Sequence, residues 1–530
     1  MPAVALLKLQ TGPVQDFISE AGKTRDLWAG AWLLSHLTRT GALAIQNQPG
    51  VELICPLLDA PGDPLEASTP DFILARVPAS NSREIARIAE DAIRTEWKRI
   101  ADAVHGAVSS QAAPDWDTGW KEQTERFPQV DWIVHPCPSA TEALKQLDRG
   151  EPPLPANAPD FRKPGASLEA LEVAMAEWKL AAKKNSRAFG ACPAEAFRRP
   201  VLPGKERLSA LALVHRLFPE AYLWNVLGWN PFAPDFDFVE HLATAIDAEE
   251  DDLPPGSPVS YAVLTLDGDD LGRWLCGCMG TQGDLDPLQP GYPAKLSQRL
   301  STFAERASGI VDQYVGQTIR CAGDEVLALL PTASALPCAE ELARAFAQAL
   351  PGGSASAGIA VGHVRAPLPD TVRAAFAAKA AAKSLPGKDA FCLRVLKRSG
   401  EHADLTVRWK IGVGKVWRDL EERKRVLSHR FAQFLAGRLM RLVDHPAQGR
   451  ENGSVPEEWT GSAKEAALLE LIHGIQDEAG LPRNEAEALA QAWHPVLTRL
   501  APQETLQFWL VWAFLRRVDD SLDSLNAADA

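Results

Sequence analysis

The chain has 530 residues, enough for three or four domains at about 100–200 residues each. Its formal charge of −14, from 69 acidic against 55 basic residues, excludes a free-standing nucleic-acid binder of the usual basic kind, though not local contacts with RNA or DNA. The N-terminus has no signal-peptide pattern, and the most apolar run, Leu506 to Leu515, is about half the length a bilayer span requires. A membrane partner is excluded on this reading, and a cytoplasmic location is expected.

In chain order, an apolar run from Val4 to Leu9 leads through Thr-Gly-Pro into a helical stretch from Val14 to about Ile45. Strand-like runs follow at Val51–Leu58 and Phe72–Val77, then a helix from Ser82 to about Val108 and a short run, Trp132 to His135. That β-α-β-β-α-β order predicts a ferredoxin-like sheet with helices on one face. Residues 139–165 are rich in proline and polar side chains and read as a boundary. Residues 166–250 read as mainly helical, clearest at Leu168–Lys184 and Leu208–Phe218, and an acidic linker, Asp247 to Pro258, closes the segment.

The first pattern then recurs. Tyr261–Leu266 reads as a buried strand, Gly291–Val315 as a region with a long helix, and Gln317–Cys321 and Val326–Leu330 as strands about a turn at Ala322–Glu325. A helix at Pro337–Leu350, a strand at Ser354–Val361, a helix at Asp370–Ser384 and a strand at Ala390–Leu396 complete it. From residue 401 the pattern is again mostly helical. The predicted fold class is α+β: two ferredoxin-like domains, at 1–138 and 258–400, with helical domains at 139–257 and 401–530.

The second α+β unit carries the chemistry. Its first strand delivers Asp267 at its C-terminal end, within Asp267-Gly-Asp-Asp-Leu-Gly272, and 57 positions later Asp324 and Glu325 sit in the turn between two apolar strands. In this topology the first strand lies beside that hairpin, so the carboxylates converge on one edge. Hard cations such as Mg²⁺ or Mn²⁺ take carboxylate and phosphate oxygens, and two of them suit activation of a ribose 3′-hydroxyl and departure of pyrophosphate. Asp267, Asp324 and Glu325 are therefore the candidate catalytic and metal-binding residues, with Asp269 and Asp270 in reserve. Gly268 and Gly323 would let backbone approach the phosphates closely and permit positive φ at the turn. Lys379, Lys383 and Lys388, around the end of the Asp370–Ser384 helix, read either as solvated helix-end cations or, for Lys383 and Lys388, as neutralisers of triphosphate charge.

The eight cysteines are scattered without a Cys-x-x-Cys pair, so no zinc is expected. Gly22-Lys23-Thr24 lacks the glycine spacing of a P-loop, with Phe17 where glycine is required. Lys23 and Arg25 remain candidates to face nucleotide or a neighbouring subunit. The run Arg418–Arg430 is basic but interleaved with Asp419, Glu421 and Glu422, as on a solvated, ion-paired helix face. Phe508, Trp509 and Trp512 read as core of a C-terminal bundle, and His215, His363 and His402 show no ligand spacing.

The set Asp267-Gly-Asp-Asp, Ala-Gly-Asp324-Glu325, Ser356-Ala-Gly-Ile-Ala360 and Ala382-Lys383 with Gly387-Lys-Asp resembles the palm domain shared by diguanylate cyclases and CRISPR polymerases. With Thr11-Gly-Pro-Val-Gln-Asp-Phe17, Lys23-Thr-Arg-Asp-Leu-Trp-Ala-Gly30 and Lys397-Arg-Ser-Gly-Glu401, the chain resembles the large polymerase-cyclase subunit of type III CRISPR–Cas effectors in its type III-B form. The resemblance implies two palm (nucleotide cyclase-like) domains, with ATP bound between them and joined into cyclic oligoadenylate once target RNA is recognised. It also implies the other type III-B subunits and guide RNA as partners, metal ligation by Asp267, Asp324 and Glu325, and a triphosphate contact from Lys383. Three departures stand out. The family's Gly-Gly-Asp-Asp turn reads Ala322-Gly323-Asp324-Glu325; no His-Asp dipeptide of an HD nuclease occurs, so DNA cleavage is not expected; and one cysteine, Cys192, remains where relatives carry a four-cysteine zinc module. The altered turn leaves a decayed, non-catalytic scaffold as the alternative.

Overall fold

The computed structural model describes residues 4–58 except 20, 68–108, 116–136, 187–188, 207–228, 259–397 except 276, 288 and 290, 400–444 except 425 and 428, and 458–526 except 460. The helix expected at Leu168–Lys184, the boundary at 139–165, the linker at 247–258 and Cys192 lie outside these residues. Cys276 does too.

The first sheet comprises β1 (Val4–Gly12), β2 (Glu52–Cys55), β3 (Phe72–Pro78) and β4 (Gln129–Pro136) in the order β2-β3-β1-β4, the ferredoxin-like arrangement. β1 pairs antiparallel with both β3 and β4. Period-2 alternation turns Ala5, Leu7, Leu9, Ile73, Ala75 and Val77 into one core, shared with α2 (Thr24–Gln46) and α3 (Ser82–Val108). Leu6, Ile54 and Leu74 form a smaller apolar cluster of their own. The single helix expected from Val14 is two: α1 (Val14–Ser19) stops, and α2 restarts where the Asp26 carboxylate accepts the Lys23 N–H at 3.1 Å. A further helix, α4 (Trp116–Thr124), precedes β4.

β5 (Arg187–Ala188) pairs with β6 (Arg207–Leu208), and the expected Leu208–Phe218 helix is α5 (Ala210–Phe218), capped by Ser209 and continued by a π-helical turn, Pro219–Trp224.

The second sheet is larger than the four strands of the repeated pattern. Its strands are β7 (Ser260–Gly268), β8 (Gln317–Ala322), β9 (Glu325–Pro331), β10 (Ala355–His363), β11 (Ala390–Leu396) and β12 (His402–Arg408), ordered β12-β11-β10-β7-β9-β8. The last four in that order repeat the ferredoxin-like plan; β11 then adds parallel to β10, and β12 closes a hairpin onto β11. The sheet thus runs past residue 400, where a helical segment was expected to begin. A short α6 (Leu271–Leu275) follows β7; α7 (Tyr292–Gln313) and α8 (Thr332–Ala349) follow. Ala262, Leu264, Leu266, Val326, Ala328 and Leu330 share a core with α7 and α8. Their alternates Tyr261, Val263, Leu327 and Leu329 belong to the same core as Val372 and Ala375 of α9 (Leu368–Ser384) and the first domain. This sheet is therefore covered on both faces, and the first domain and the second sheet meet through apolar packing.

Close approach of α9 to β10 depends on Gly358. A Cβ there would lie 2.2 Å from both the Ala375 carbonyl oxygen and the Lys379 nitrogen, main-chain atoms that cannot swing aside. Gly358→Ala is expected to cost about 1–3 kcal/mol, read as a lower urea midpoint; an unchanged midpoint would contradict this packing.

Among the described residues of the C-terminal region are five helices, α10 (Val413–Glu422), α11 (His429–Asp444), α12 (Gly461–Ala479), α13 (Arg483–Leu497) and α14 (Pro502–Asn526). Phe508, Trp509 and Trp512 are core, as expected; Trp417 meets Trp512 edge-on, with centroids 5.1 Å apart. The basic run is not one helix, since α10 ends at Glu422, but its charges are paired: Lys424 with Glu421 at 3.6 Å and Arg423 with Glu422 at 3.7 Å. Lys397, beside the β11–β12 turn, lies 3.9 Å over the Phe514 ring of α14. No helix among the described residues is long and apolar enough to cross a membrane. Cys55, Cys321, Cys338 and Cys392 are buried as expected, whereas Cys278 is exposed.

Candidate active site

β7 and β9 are in register at Leu266 and Val326, so Asp267 and Glu325 emerge side by side where the strands end. Between β8 and β9 the two-residue loop Gly323–Asp324 turns with Gly323 at φ 65°, a type II′ pattern that demands glycine at its first position. Ala322 is not among the residues with positive φ, so alanine is accommodated there without backbone strain. The Gly268 N–H donates to the Asp324 carbonyl at 3.3 Å, and a Cβ on Gly268 would stand 3.0 Å from Asp324 Oδ2. Glycine at that position is what lets the two acidic segments close together.

α9 brings the opposing charge. Lys379 and Lys383, one helical turn apart, point at the same edge: Lys379 Nζ donates to Asp267 Oδ2 at 3.1 Å and lies 3.6 Å from Glu325 Oε1. Lys383 Nζ lies 2.8 Å from Asp267 Oδ1 and donates to the Gly268 carbonyl at 3.0 Å. Lys379 is buried, at 4% exposed, so the reading of it as a solvated helix-end cation is corrected. Burial works against its charge, but Asp267 and Glu325 outweigh that and hold its pKa above the usual lysine value. Burial likewise pushes Asp267 up, and Lys379 and Lys383 more than reverse it, holding the carboxyl below its ordinary range. Asp324 goes the other way: burial, then the neighbouring Asp267 and Glu325 charges, raise it well above 3.8.

The reserve candidates are occupied differently. Asp269 is buried, and its Oδ2 accepts from Ser354 Oγ at 2.8 Å, Ser356 Oγ at 3.1 Å and the Asp389 N–H at 3.0 Å. It ties β7 to the loop before β11. Asp270, at φ 57°, pairs with Lys388 at 2.7 Å, so the lysine expected to neutralise phosphate neutralises this carboxylate. Arg25 Nη2 donates to both Glu220 carboxylate oxygens, at 2.9 and 2.8 Å, and Lys23 stands at the N-terminus of α2. The structure does not bring Lys23 and Arg25 to the carboxylate edge.

Two residues were missed by sequence reasoning. Arg320 of β8, only 2% exposed, donates through Nε to Glu325 Oε2 at 3.2 Å, and its Nη2 lies 4.0 Å from Asp71 Oδ1 of the first domain. The signal for Arg320 was a charge inside an apolar strand; for Asp71 there was none.

Among the described residues no three carboxylate, imidazole or thiol groups form a ready cage for a metal ion. The Asp267 and Asp324 carboxylates with the Gly268 carbonyl form an all-oxygen set that phosphate oxygens would complete, which fits Mg²⁺ or Mn²⁺. Lysine ammonium already lies against Asp267 and the Gly268 carbonyl, so the edge collects positive charge.

A split carboxylate edge over a β-α-β-β-α-β sheet defines a palm-type protein. Residues 260–392 match the family model of the Cas10/Cmr2 second palm domain, and residues 6–102 that of the N-terminal part of CRISPR-associated protein Cmr2. Both stretches of the chain are thus similar to Cas10/Cmr2 proteins. It is 31% identical over 198 residues to the CRISPR system Cmr subunit Cmr2 of Pyrococcus furiosus, covering 33% of this chain and 22% of the relative, so the match spans about a fifth of that protein. The fold is similar to the apo type III-B Cmr-beta structure, with TM-score 0.56 and 11% identity over 90% of this chain and 77% of the other. A Csm1–Csm4 cassette in complex with cA4 aligns at TM-score 0.49 and 13% identity, over 97% and 70%.

Proposed function

We propose that this chain is the large subunit of a type III-B RNA-guided effector complex and that, on binding of target RNA, it joins ATP into cyclic oligoadenylate using Mg²⁺ or Mn²⁺. The observation that carries the reading is the convergence of Asp267 and Asp324 on one sheet edge beneath the ammonium groups of Lys379 and Lys383. Bound divalent metal would lower the pKa of a 3′-hydroxyl and neutralise the pyrophosphate leaving group. The chain's own residues would orient it: Asp267, Asp324 and Glu325 supply carboxylate oxygens, and the Gly268 and Gly323 backbone leaves room for the triphosphate. Lys383, one quarter exposed, is placed to exchange Asp267 for a phosphate oxygen, while the buried Lys379 keeps the carboxylates from repelling one another.

The scaffold reading has one observation in its favour: with both lysines in place, the acidic edge is already largely neutralised. One experiment separates the two. The assembled complex is incubated with ATP, Mg²⁺ and target RNA, and products are identified by mass spectrometry. Adenylate rings or chains formed by the wild type and lost in Asp324→Ala support the enzyme; no product under any metal or RNA condition supports the scaffold.

A further inference from the structure

The two domains carry the same main-chain device at matching places. In the second, the Gly268 N–H donates to the Asp324 carbonyl at 3.3 Å; in the first, the Thr11 N–H donates to the Asp71 carbonyl at 2.9 Å. Asp71 precedes β3 as Asp324 precedes β9, so it is the first domain's topological counterpart of Asp324. Its partner across the domain boundary is Arg320. That guanidinium is buried, holds Glu325 through Nε, and leaves Nη1 and Nη2 without a hydrogen-bond acceptor among the described residues. Buried, unsatisfied donors are costly, so such a group takes whatever acceptor comes within reach. Asp71 Oδ1 stands at 4.0 Å from Nη2, about 1 Å beyond a hydrogen bond. The guanidinium is a rigid planar fork, so turning Nη2 onto Asp71 draws Nε from Glu325.

We propose that Arg320 is a positioning residue coupling the first palm to the carboxylate edge of the second: shared between Asp71 and Glu325, it releases Glu325 toward the edge when the first palm engages it. Lys379, 3.6 Å from the other Glu325 oxygen, then remains that side chain's cationic neighbour. The device turns closeness of the two domains into carboxylate geometry. It rests on the reading of this edge as a divalent-metal site.

The test is Mn²⁺ binding to the full chain with a non-hydrolysable ATP analogue, followed by the electron paramagnetic resonance signal of free Mn²⁺. Asp71→Asn is expected to weaken binding about fivefold or more, because Arg320 then stays on Glu325, and Arg320→Gln to tighten it. The deciding measurement is Asp71→Asn in the Arg320→Gln background, where it should have no effect. If it weakens binding equally in both backgrounds, Asp71 acts only as a distant charge and the coupling is wrong; if neither single variant shifts binding, it is wrong as well. If the wild type shows no saturable Mn²⁺ uptake, the metal-site reading itself fails. Should Arg320→Gln not fold, Arg320→Lys keeps the charge without the fork and should at least halve the Asp71→Asn effect; a full effect there would also overturn the coupling.

Discussion

Asp324→Asn is expected to abolish turnover while leaving the metal-free protein at least as stable as the wild type. Residues that merely support metal ligands cost about 10–100-fold when replaced, so loss of a carboxylate proposed to ligate the metal should exceed about 100-fold. Stability runs the other way because Asp324 is held against its preference. Its carboxyl pKa in the folded chain lies above 3.8, through burial first and then through Asp267 and Glu325. Between the unfolded and folded values the native state keeps a proton that the unfolded chain has lost. Stability therefore falls as pH rises through that window, and the penalty stands in full above it. Asparagine removes the charge and the penalty. Thermal melts in metal-free buffer should show the advantage of Asp324→Asn growing as pH rises above 3.8. A variant that melts well below wild type at neutral pH would show that Asp324 is a structural group. Asp267 gives the opposite sign: lysine contacts hold its pKa down, so its contribution is present at neutral pH and is lost as pH falls through the folded value.

What the sequence disclosed about this site follows from local rules. Strand alternation, the glycine demanded at the turn and carboxylates at strand ends are all short-range signals, and they located Asp267, Asp324 and Glu325. Lys379 was hidden by its own helix. The segment reads Ala374-Ala-Phe-Ala-Ala-Lys379-Ala-Ala-Ala-Lys383, and alanine on nearly every side gives no indication of which face is buried. The face is chosen by Gly358 across the sheet, where β10 lets the helix backbone in. The link between Arg320 and Asp71 joins residues far apart in the chain, and no periodicity reports such a contact. β12 was lost in a mixed polar sequence, His402-Ala-Asp-Leu-Thr-Val-Arg408, that becomes a strand only because β11 offers an edge and Arg394 pairs with Asp404 across it, at 2.8 and 2.6 Å.

Next to Lys23 and Arg25, candidates from sequence to face nucleotide or a neighbouring subunit, Asp26 clamps α5 onto the first palm, and the clamp predicts the largest stability loss. Arg216 donates to Asp26 through Nε at 2.6 Å and Nη2 at 2.7 Å, and both residues are almost wholly buried. The same Asp26 starts α2 by accepting the Lys23 N–H, so one carboxylate holds both the helix start and the docked helix. Arg216→Met would leave that carboxylate charged and buried without its fork, a change that costs about 3–5 kcal/mol. Adding Asp26→Leu should recover much of the loss, because a buried pair exchanged for apolar side chains is often close to neutral, although the Lys23 N–H then loses its acceptor. Urea denaturation of the two variants, read on the first transition, tests both. Arg25→Ala, which breaks the neighbouring pair with Glu220, should likewise lower the midpoint and leave the KM for ATP unchanged. A raised KM with an unchanged midpoint would instead assign Arg25 to the nucleotide.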